Sequence, residues 1–267
     1  MSEIKKLPVL IDFDGVIRLG TKIAADAGAF LEYLVNENIP SIILSNSTLS
    51  DSSEIKSFLA RNGIKLNINA LTTIDAAIDY LRQENLKASV YCSKKIKGLF
   101  KEFIVEDNPD AVLIGDMGNE WSYEILNEIF RKVHNGAKIL AMQKNKFWKP
   151  DGKTLALDAG AFVAAIEYAS TKEATLIGKP SPLYFQSAIK KIGFNKDDKF
   201  IMIGDDLETD IKGAQELGGK GILVFTGKTK FPSKDDTSIK PAYTAKNLDE
   251  VIKLLRKILT LVEDTTN

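Results

Sequence analysis

Short apolar runs alternate with amphipathic stretches from one end of the chain to the other. The first run, residues 8–13, is apolar at nearly every position, which suits a strand buried on both faces of a parallel sheet. Residues 24–38 place apolar side chains at helical spacing, and 41–44 form the next strand-like run. Residues 51–62 read as a helix stopped by Gly63 at the C-cap position. Runs at 89–91, 111–114, 138–141, 175–177, 200–203 and 221–225 predict further strands, with helices between them and a last helix over 248–262. Repetition of strand, helix and strand predicts an α/β fold whose doubly wound parallel sheets are joined by crossover helices.

Such sheets bind ligands beyond the carboxyl ends of their strands, and several of those ends carry chemistry. Asp12-Phe-Asp14-Gly15 follows the first strand, and Ser45-Asn46-Ser47-Thr48 follows the second. Gly178-Lys179-Pro180 follows the run at 175–177, and Gly204-Asp205-Asp206-Leu-Glu-Thr-Asp210 follows that at 200–203. Each has an ordinary reading by itself: Asp and Gly punctuate turns, Ser and Asn cap helices, and a lysine is often surface charge. Their common position at strand ends argues for one site. Carboxylates at Asp12, Asp14 and Asp205 make an oxygen-rich set suited to Mg²⁺. A lysine at Lys179, facing them, has an evident use in neutralising a bound phosphoryl group.

Composition narrows the setting. The 267 residues, 44% of them hydrophobic, can build one large domain or two ordinary ones. Lysine plus arginine and aspartate plus glutamate both number 36, a balance that argues against a nucleic-acid partner. The single cysteine, Cys92, cannot form an internal disulfide, which suits a reducing compartment. The apolar run before Asp12 is too short for a signal-peptide core, and no run approaches the ~20 residues that span a bilayer. A soluble, cytoplasmic protein without a membrane partner is expected. Gly227-Lys228-Thr229 echoes a phosphate-binding P-loop, but its spacing from Gly221 is one residue too long and the intervening residues are themselves strand-like.

With the strand-end motifs in this order, the chain resembles the haloacid dehalogenase superfamily of phosphatases. The matching segments are Val9-Leu-Ile-Asp-Phe-Asp-Gly-Val, Leu44-Ser-Asn-Ser, Ile177-Gly-Lys-Pro and Met202-Ile-Gly-Asp-Asp-Leu-Glu-Thr-Asp. About 130 residues separate Asn46 from Lys179, enough for an inserted α/β domain. The resemblance implies a Rossmann-like catalytic core at residues 1–75 and 173–267, with a large α/β cap domain at 76–172. That arrangement is similar to the subfamily of 4-nitrophenylphosphatases, phosphoglycolate phosphatases and NagD-type nucleotidases. Cap segments Asn127-Glu-Ile-Phe-Arg, Asn135-Gly-Ala-Lys and Gly160-Ala-Phe-Val carry it further, and Gly221-Ile-Leu-Val-Phe-Thr-Gly-Lys resembles the branch acting on phospholysine, phosphohistidine and pyrophosphate. The chain departs from the NagD type where Met142-Gln-Lys-Asn-Lys-Phe-Trp-Lys replaces an Asn-x-Asp. It departs from the pyrophosphatase branch at Gln143, where a histidine is usual, and at Asp14, which that branch often replaces.

The family's chemistry, carried onto these positions, makes Asp12 a nucleophile that forms an aspartyl phosphate, and Asp14 the general acid and base. Mg²⁺ would be held by Asp12, the Asp14 main-chain carbonyl and Asp205. Ser45, the amide of Asn46 and Lys179 would bind the phosphoryl oxygens, with Asp206 or Asp210 in support. Gln143, Lys144, Asn145 and Trp148 are the cap residues expected to meet the leaving group. The expected substrate is a small phosphorylated metabolite: a sugar phosphate, a nucleotide or a phosphoglycolate-like ester. Pyrophosphate or a phosphoamino acid is the alternative. A dehalogenase, a phosphotransferase and a catalytically silent binding protein are the rival classes, and pairing of two copies through the cap is a further expectation.

Overall fold

The computed structural model describes residues 6–148, 154–231 and 238–265. In chain order its sheet strands are β1 (Val9–Asp12), β2 (Ser41–Ser45), β3 (Asn69–Thr72), β4 (Ala88–Tyr91), β5 (Ala111–Ile114), β6 (Lys138–Ala141), β7 (Thr175–Leu176), β8 (Ile201–Gly204), β9 (Lys220–Val224) and β10 (Tyr243–Ala245). The longer helices are α1 (Ala27–Asn36), α2 (Ser52–Arg61), α3 (Thr73–Gln83), α4 (Tyr123–His134), α5 (Ala159–Ser170), α6 (Pro182–Lys191) and α7 (Leu248–Thr265). Six strands form one sheet in the order β10-β9-β8-β1-β2-β3, and four form another in the order β7-β6-β5-β4. The pairings of β1 with β2 and β8, of β8 with β9, of β9 with β10, and throughout the second sheet are parallel.

The chain divides into two compact units. One holds Met1–Ser45, Ser52–Leu71 and Lys179–Asn267; the other holds Asn46–Asp51 and Thr72–Gly178. In the first unit, Val9 and Ile11 of β1 pack with Ile43, Ile201 and Ile203, and the same core takes in Phe30, Leu31 and Leu34 of α1 and Val251 and Leu255 of α7. Each such side chain contributes about 1.5–3 kcal/mol on burial. In the second unit, Val112, Ile114 and Ile139 pack against Ile129 and Val133 of α4 and Val163 and Ile166 of α5.

Strand order decides where a ligand belongs. From β1 the chain moves outward through β2 to β3, and from β8 it moves the opposite way through β9 to β10. The junction of β1 and β8 is therefore the point where winding reverses, the usual crevice for a ligand. Register pairs Ile11 with Ile203, so Asp12 and Gly204-Asp205 leave the sheet side by side.

Strands β3 and β10 are not predicted by the apolar pattern. Each is short, and β3 runs straight into α3, where Thr72 and Asp75 exchange side-chain and backbone hydrogen bonds as a capping box. Beyond β6, where the pattern predicts only a connector, Phe147–Trp148 pairs antiparallel with Ala156–Leu157 as a two-stranded sheet; the neighbouring Lys149 lies outside the described residues. No helix among the described residues is long and apolar enough to cross a membrane.

Candidate active site

At the end of β1 the backbone leaves extended geometry at once. The N–H groups of Ile17 and Arg18 both bond the Phe13 carbonyl, and the N–H of Gly15 bonds the Arg18 carbonyl, closing a tight turn. Gly15 sits at φ +92°, and a Cβ there would lie 2.2 Å from Asp205 Oδ2, so both conformation and space require glycine. The turn separates two carboxylates that are two residues apart in sequence. Asp12 is buried, while the Asp14 side chain is 48% exposed and ion-paired with Arg18.

Lys179 stands between two buried acids. Its Nζ donates to Asp12 Oδ1 at 2.5 Å and to Asp210 Oδ1 at 2.7 Å. Asp12, Asp205 and Asp210 each offer a carboxylate oxygen, and these atoms lie within 4.8 Å of one another. Asp210 reaches this position because the chain from Leu207 to Lys212 takes a wide π-helical turn, with the Ile211 N–H bonding the Asp206 carbonyl. Asp210 Oδ2 accepts the N–H groups of Asp205 and Asp206, both at 3.2 Å. Asp206 instead caps that turn, its Oδ1 accepting from the N–H groups of Glu208 and Thr209. Of these two acids, Asp210 lies in the carboxylate cluster, while Asp206 caps the backbone turn that carries it.

Electrostatics follow from burial and the ratio of acids to base. Burial pushes Asp12 well above the ordinary carboxylate range; Lys179 opposes this, and Asp210 and Asp205 add to it. Asp210 is raised for the same leading reason, with Lys179 opposing and Asp205 contributing. Burial alone would lower Lys179, yet the Asp12 and Asp210 carboxylates beside it hold it above its usual range. A buried cluster of three acids around one lysine is short of positive charge, and its donors are all hard oxygens. Both features fit a divalent cation of the magnesium type.

Ser45, at the end of β2, donates its hydroxyl to Asp14 Oδ2 at 3.2 Å, opposite the oxygen that Arg18 holds. The buried Tyr184 of α6 fixes the Ser45 peptide: its hydroxyl lies 2.7 Å from the Ser45 carbonyl and accepts the Ser45 N–H at 3.2 Å. Asn46 follows in the chain but groups with the second unit, where its side chain packs against Gly178.

The expected leaving-group residues lie in the second unit, beyond β6. Gln143 is buried, its amide donating to Asp158 and its carbonyl oxygen accepting the Asn145 N–H, both at 2.5 Å. Lys144 pairs with both oxygens of Glu167 at 2.8 Å. The N–H of Gly160 bonds the Asn145 carbonyl, tying this loop to the start of α5. Trp148 is 39% exposed and Phe147 60% exposed. Gln143 and Lys144 thus have internal partners, whereas the two aromatics face solvent.

Comparison with known proteins decides the family. Residues 9–105 match the family described as haloacid dehalogenase-like hydrolase, and residues 176–251 match one described as HAD-hydrolase-like. The haloacid dehalogenase-like hydrolase domain-containing protein 2 of Bos taurus is 30% identical over 246 residues, covering 91% of this chain and 93% of the relative. The chain belongs to the haloacid dehalogenase-like hydrolase family. The human phospholysine phosphohistidine inorganic pyrophosphate phosphatase is 29% identical over 92% of this chain and 93% of its own length. Among solved structures, the 4-nitrophenylphosphatase of Thermotoga maritima superposes with a TM-score of 0.83 at 25% identity, covering 93% of this chain and 97% of that one. NagD from Escherichia coli K-12 gives 0.80 at 25% identity, covering 92% and 98%. These likenesses put the hydrolase with the phosphatases of its family, beside NagD and the 4-nitrophenylphosphatases.

The sequence assigns no role to three parts of the candidate site. Arg18 stands four residues beyond Asp14 and reaches it only because the turn folds back; its guanidinium also lies 4.7 Å from the centre of the Phe13 ring. Tyr184 is distant in sequence from Ser45 and reads as one more apolar position of α6. The segment after β9 contributes too: the Lys228 N–H donates to Asp205 Oδ2 at 2.5 Å and its ammonium pairs with Asp206 at 2.5 Å. Arg18 and Tyr184 have no local motif, and the β9 segment, whose sequence echoes a P-loop without its spacing, gains these contacts through the strand order.

Proposed function

We propose that this hydrolase is a Mg²⁺-dependent phosphatase of small phosphate monoesters that passes the phosphoryl group through an aspartyl phosphate on Asp12. The observation that carries the reading is the bridge of Lys179 between Asp12 and Asp210, inside a buried cluster of three carboxylates at the winding switch of the sheet. Asp12 and Asp205 would hold the cation, with Asp210 as the third nearby carboxylate and the Asp14 carbonyl as the ligand expected from the family. When bound, the cation supplies the positive charge that lets an anionic carboxylate approach an anionic phosphate.

The chain's own groups perform the remaining work. Lys179 holds one oxygen of Asp12, which orients the other for attack on phosphorus. As the oxygen–phosphorus bond forms, the ester oxygen leaves and takes a proton from Asp14. Asp14 then removes a proton from water, whose oxygen bonds to phosphorus and releases Asp12 as a carboxylate. Arg18 and Ser45 hold the two Asp14 oxygens from opposite sides, which aims this carboxyl. With substrate bound, the Ser45 hydroxyl, which has one proton to donate, turns from Asp14 to a phosphoryl oxygen and, with the Asn46 amide and the Lys179 ammonium, stabilises charge there. The exposed pair Phe147 and Trp148 is the surface proposed to read the leaving group, with Asn145 beside it.

A second reading is favoured by one observation, the 29% identity to the human phospholysine phosphohistidine inorganic pyrophosphate phosphatase: the bond broken would be a phosphoramidate or a phosphoanhydride. A phosphate-release panel separates the two. Sugar phosphates, nucleotides, phosphoglycolate, pyrophosphate and phosphohistidine are each offered with chelator and with restored Mg²⁺. Esters hydrolysed only with Mg²⁺ support the first reading, and preference for pyrophosphate or phosphohistidine supports the second. Undiminished hydrolysis in chelator overturns the magnesium role.

A further inference from the structure

The segment Thr226-Gly227-Lys228-Thr229 follows β9 and matches no phosphate-binding loop, yet it touches both acidic strand ends. A Cβ on Gly227 would lie 1.8 Å from Asp205 Oδ2 and 2.7 Å from Gly15 Cα, so the glycine is required by close approach alone. The Lys228 N–H donates to Asp205 Oδ2 at 2.5 Å, and the Thr229 N–H donates to the Asp205 carbonyl at 3.1 Å. One turn therefore grips the backbone and the carboxylate of the same residue. The Thr226 hydroxyl donates to the Gly15 carbonyl at 2.5 Å, joining the turn that follows Asp12. The Lys228 ammonium pairs with Asp206, the residue that caps the π-helical turn bearing Asp210.

We propose that the turn Thr226–Thr229 is a clasp that positions Asp205 for the divalent cation and locks it to the Asp12–Gly15 turn. The clasp rests on the magnesium reading of the site and deepens it. The carboxylate's Oδ2 is occupied by the Lys228 N–H, and no donor among the described residues bonds Oδ1, which is the oxygen left for the metal. Magnesium demands near-ideal octahedral geometry, so a ligand that can swing binds it less well. Groups that orient ligands typically contribute about 10–100-fold to metal affinity. A role limited to ending β9 would not require the turn to reach Gly15, Asp205 and Asp206 together.

The test is calorimetric titration of Mg²⁺ into the full-length wild type, Asp205→Asn, Gly227→Ala and Thr226→Val. Gly227→Ala is expected to weaken Mg²⁺ binding by about 10–100-fold. Thr226→Val, which removes one hydroxyl without adding bulk, is expected to weaken it by about tenfold, the low end of that range. Both should keep the wild-type circular dichroism spectrum. Wild-type affinity in a folded Gly227→Ala or in Thr226→Val overturns the clasp; should Gly227→Ala fail to fold, Thr226→Val decides alone. A wild type that binds Mg²⁺ no better than Asp205→Asn overturns the magnesium reading itself.

Discussion

Replacing Lys179 by methionine keeps the length of the side chain and removes its charge. In the native protein Nζ lies 2.5 Å from one buried carboxylate and 2.7 Å from another. At an effective dielectric of about 20, each contact represents about 6 kcal/mol of attraction, most of it offset by the cost of burying the charges. What remains visible on breaking such a group is typically about 3–5 kcal/mol, because uncompensated carboxylates stay buried. The loss should depend on pH in a definite direction. Asp12 and Asp210 already have raised values in the folded protein, so the folded state holds their protons where the unfolded state has released them. Stability from these groups therefore falls as pH rises from the ordinary carboxylate range, and without Lys179 the fall becomes steeper. Urea denaturation of the metal-free proteins should show the largest deficit for Lys179→Met near pH 8, shrinking towards about pH 4, where carboxylates take up protons. Turnover of 4-nitrophenyl phosphate with Mg²⁺ should drop about 10²–10³-fold, the usual effect of losing one group that stabilises developing charge. A deficit independent of pH, or wild-type turnover, would show that Lys179 is only packed between these strands.

Further outcomes follow from the same geometry. Asp12→Asn should abolish turnover yet stabilise the metal-free protein by about 0.5–2 kcal/mol near pH 8, since it removes a buried charge whose folded-state value is raised; a lower melting temperature there would contradict this. Asp14→Asn should slow first-turnover release of the alcohol from alkyl phosphates by about 10²–10⁴-fold but that of 4-nitrophenol much less, since this leaving group needs little protonation; an equal loss in that first step would remove Asp14 from the acid role. Gln143→Ala should cost about 1–3 kcal/mol of stability in urea denaturation because it strips Asp158 and the Asn145 N–H of partners. Trp148→Ala, at an exposed position, should leave stability unchanged and shift kcat/KM unequally among esters by about 1–3 kcal/mol; a uniform shift would place the specificity surface elsewhere.

The strand ends are legible in the sequence because a parallel sheet announces itself in short apolar runs, and the polar residues after those runs are then placed by topology. Asp12, Lys179 and Asp205 are readable in that way, and the fold puts all three in one unit. The choice between Asp206 and Asp210 is not, since both lie a few residues past β8 and only the wide turn at Leu207–Lys212 decides which carboxylate turns inward. Gln143 looks available for a ligand because an amide after a strand is polar by composition; its burial against Asp158 depends on how α5 begins, which no local pattern reveals. The roles of Arg18 and the Lys228 turn escape a sequence reading because their partners are supplied by chain reversal and by strand order.

The central claim is that the phosphoryl group changes hands twice, first to Asp12 and then to water. Each displacement at phosphorus inverts configuration, so two in succession restore it. The most direct measurement follows a phosphate ester made chiral with oxygen isotopes as the wild-type enzyme transfers its phosphoryl group to an added diol in place of water. Cyclising the product then reveals the configuration at phosphorus. Net retention is the result predicted for an aspartyl phosphate. Net inversion would mean a single direct displacement, and would contradict the nucleophilic role of Asp12.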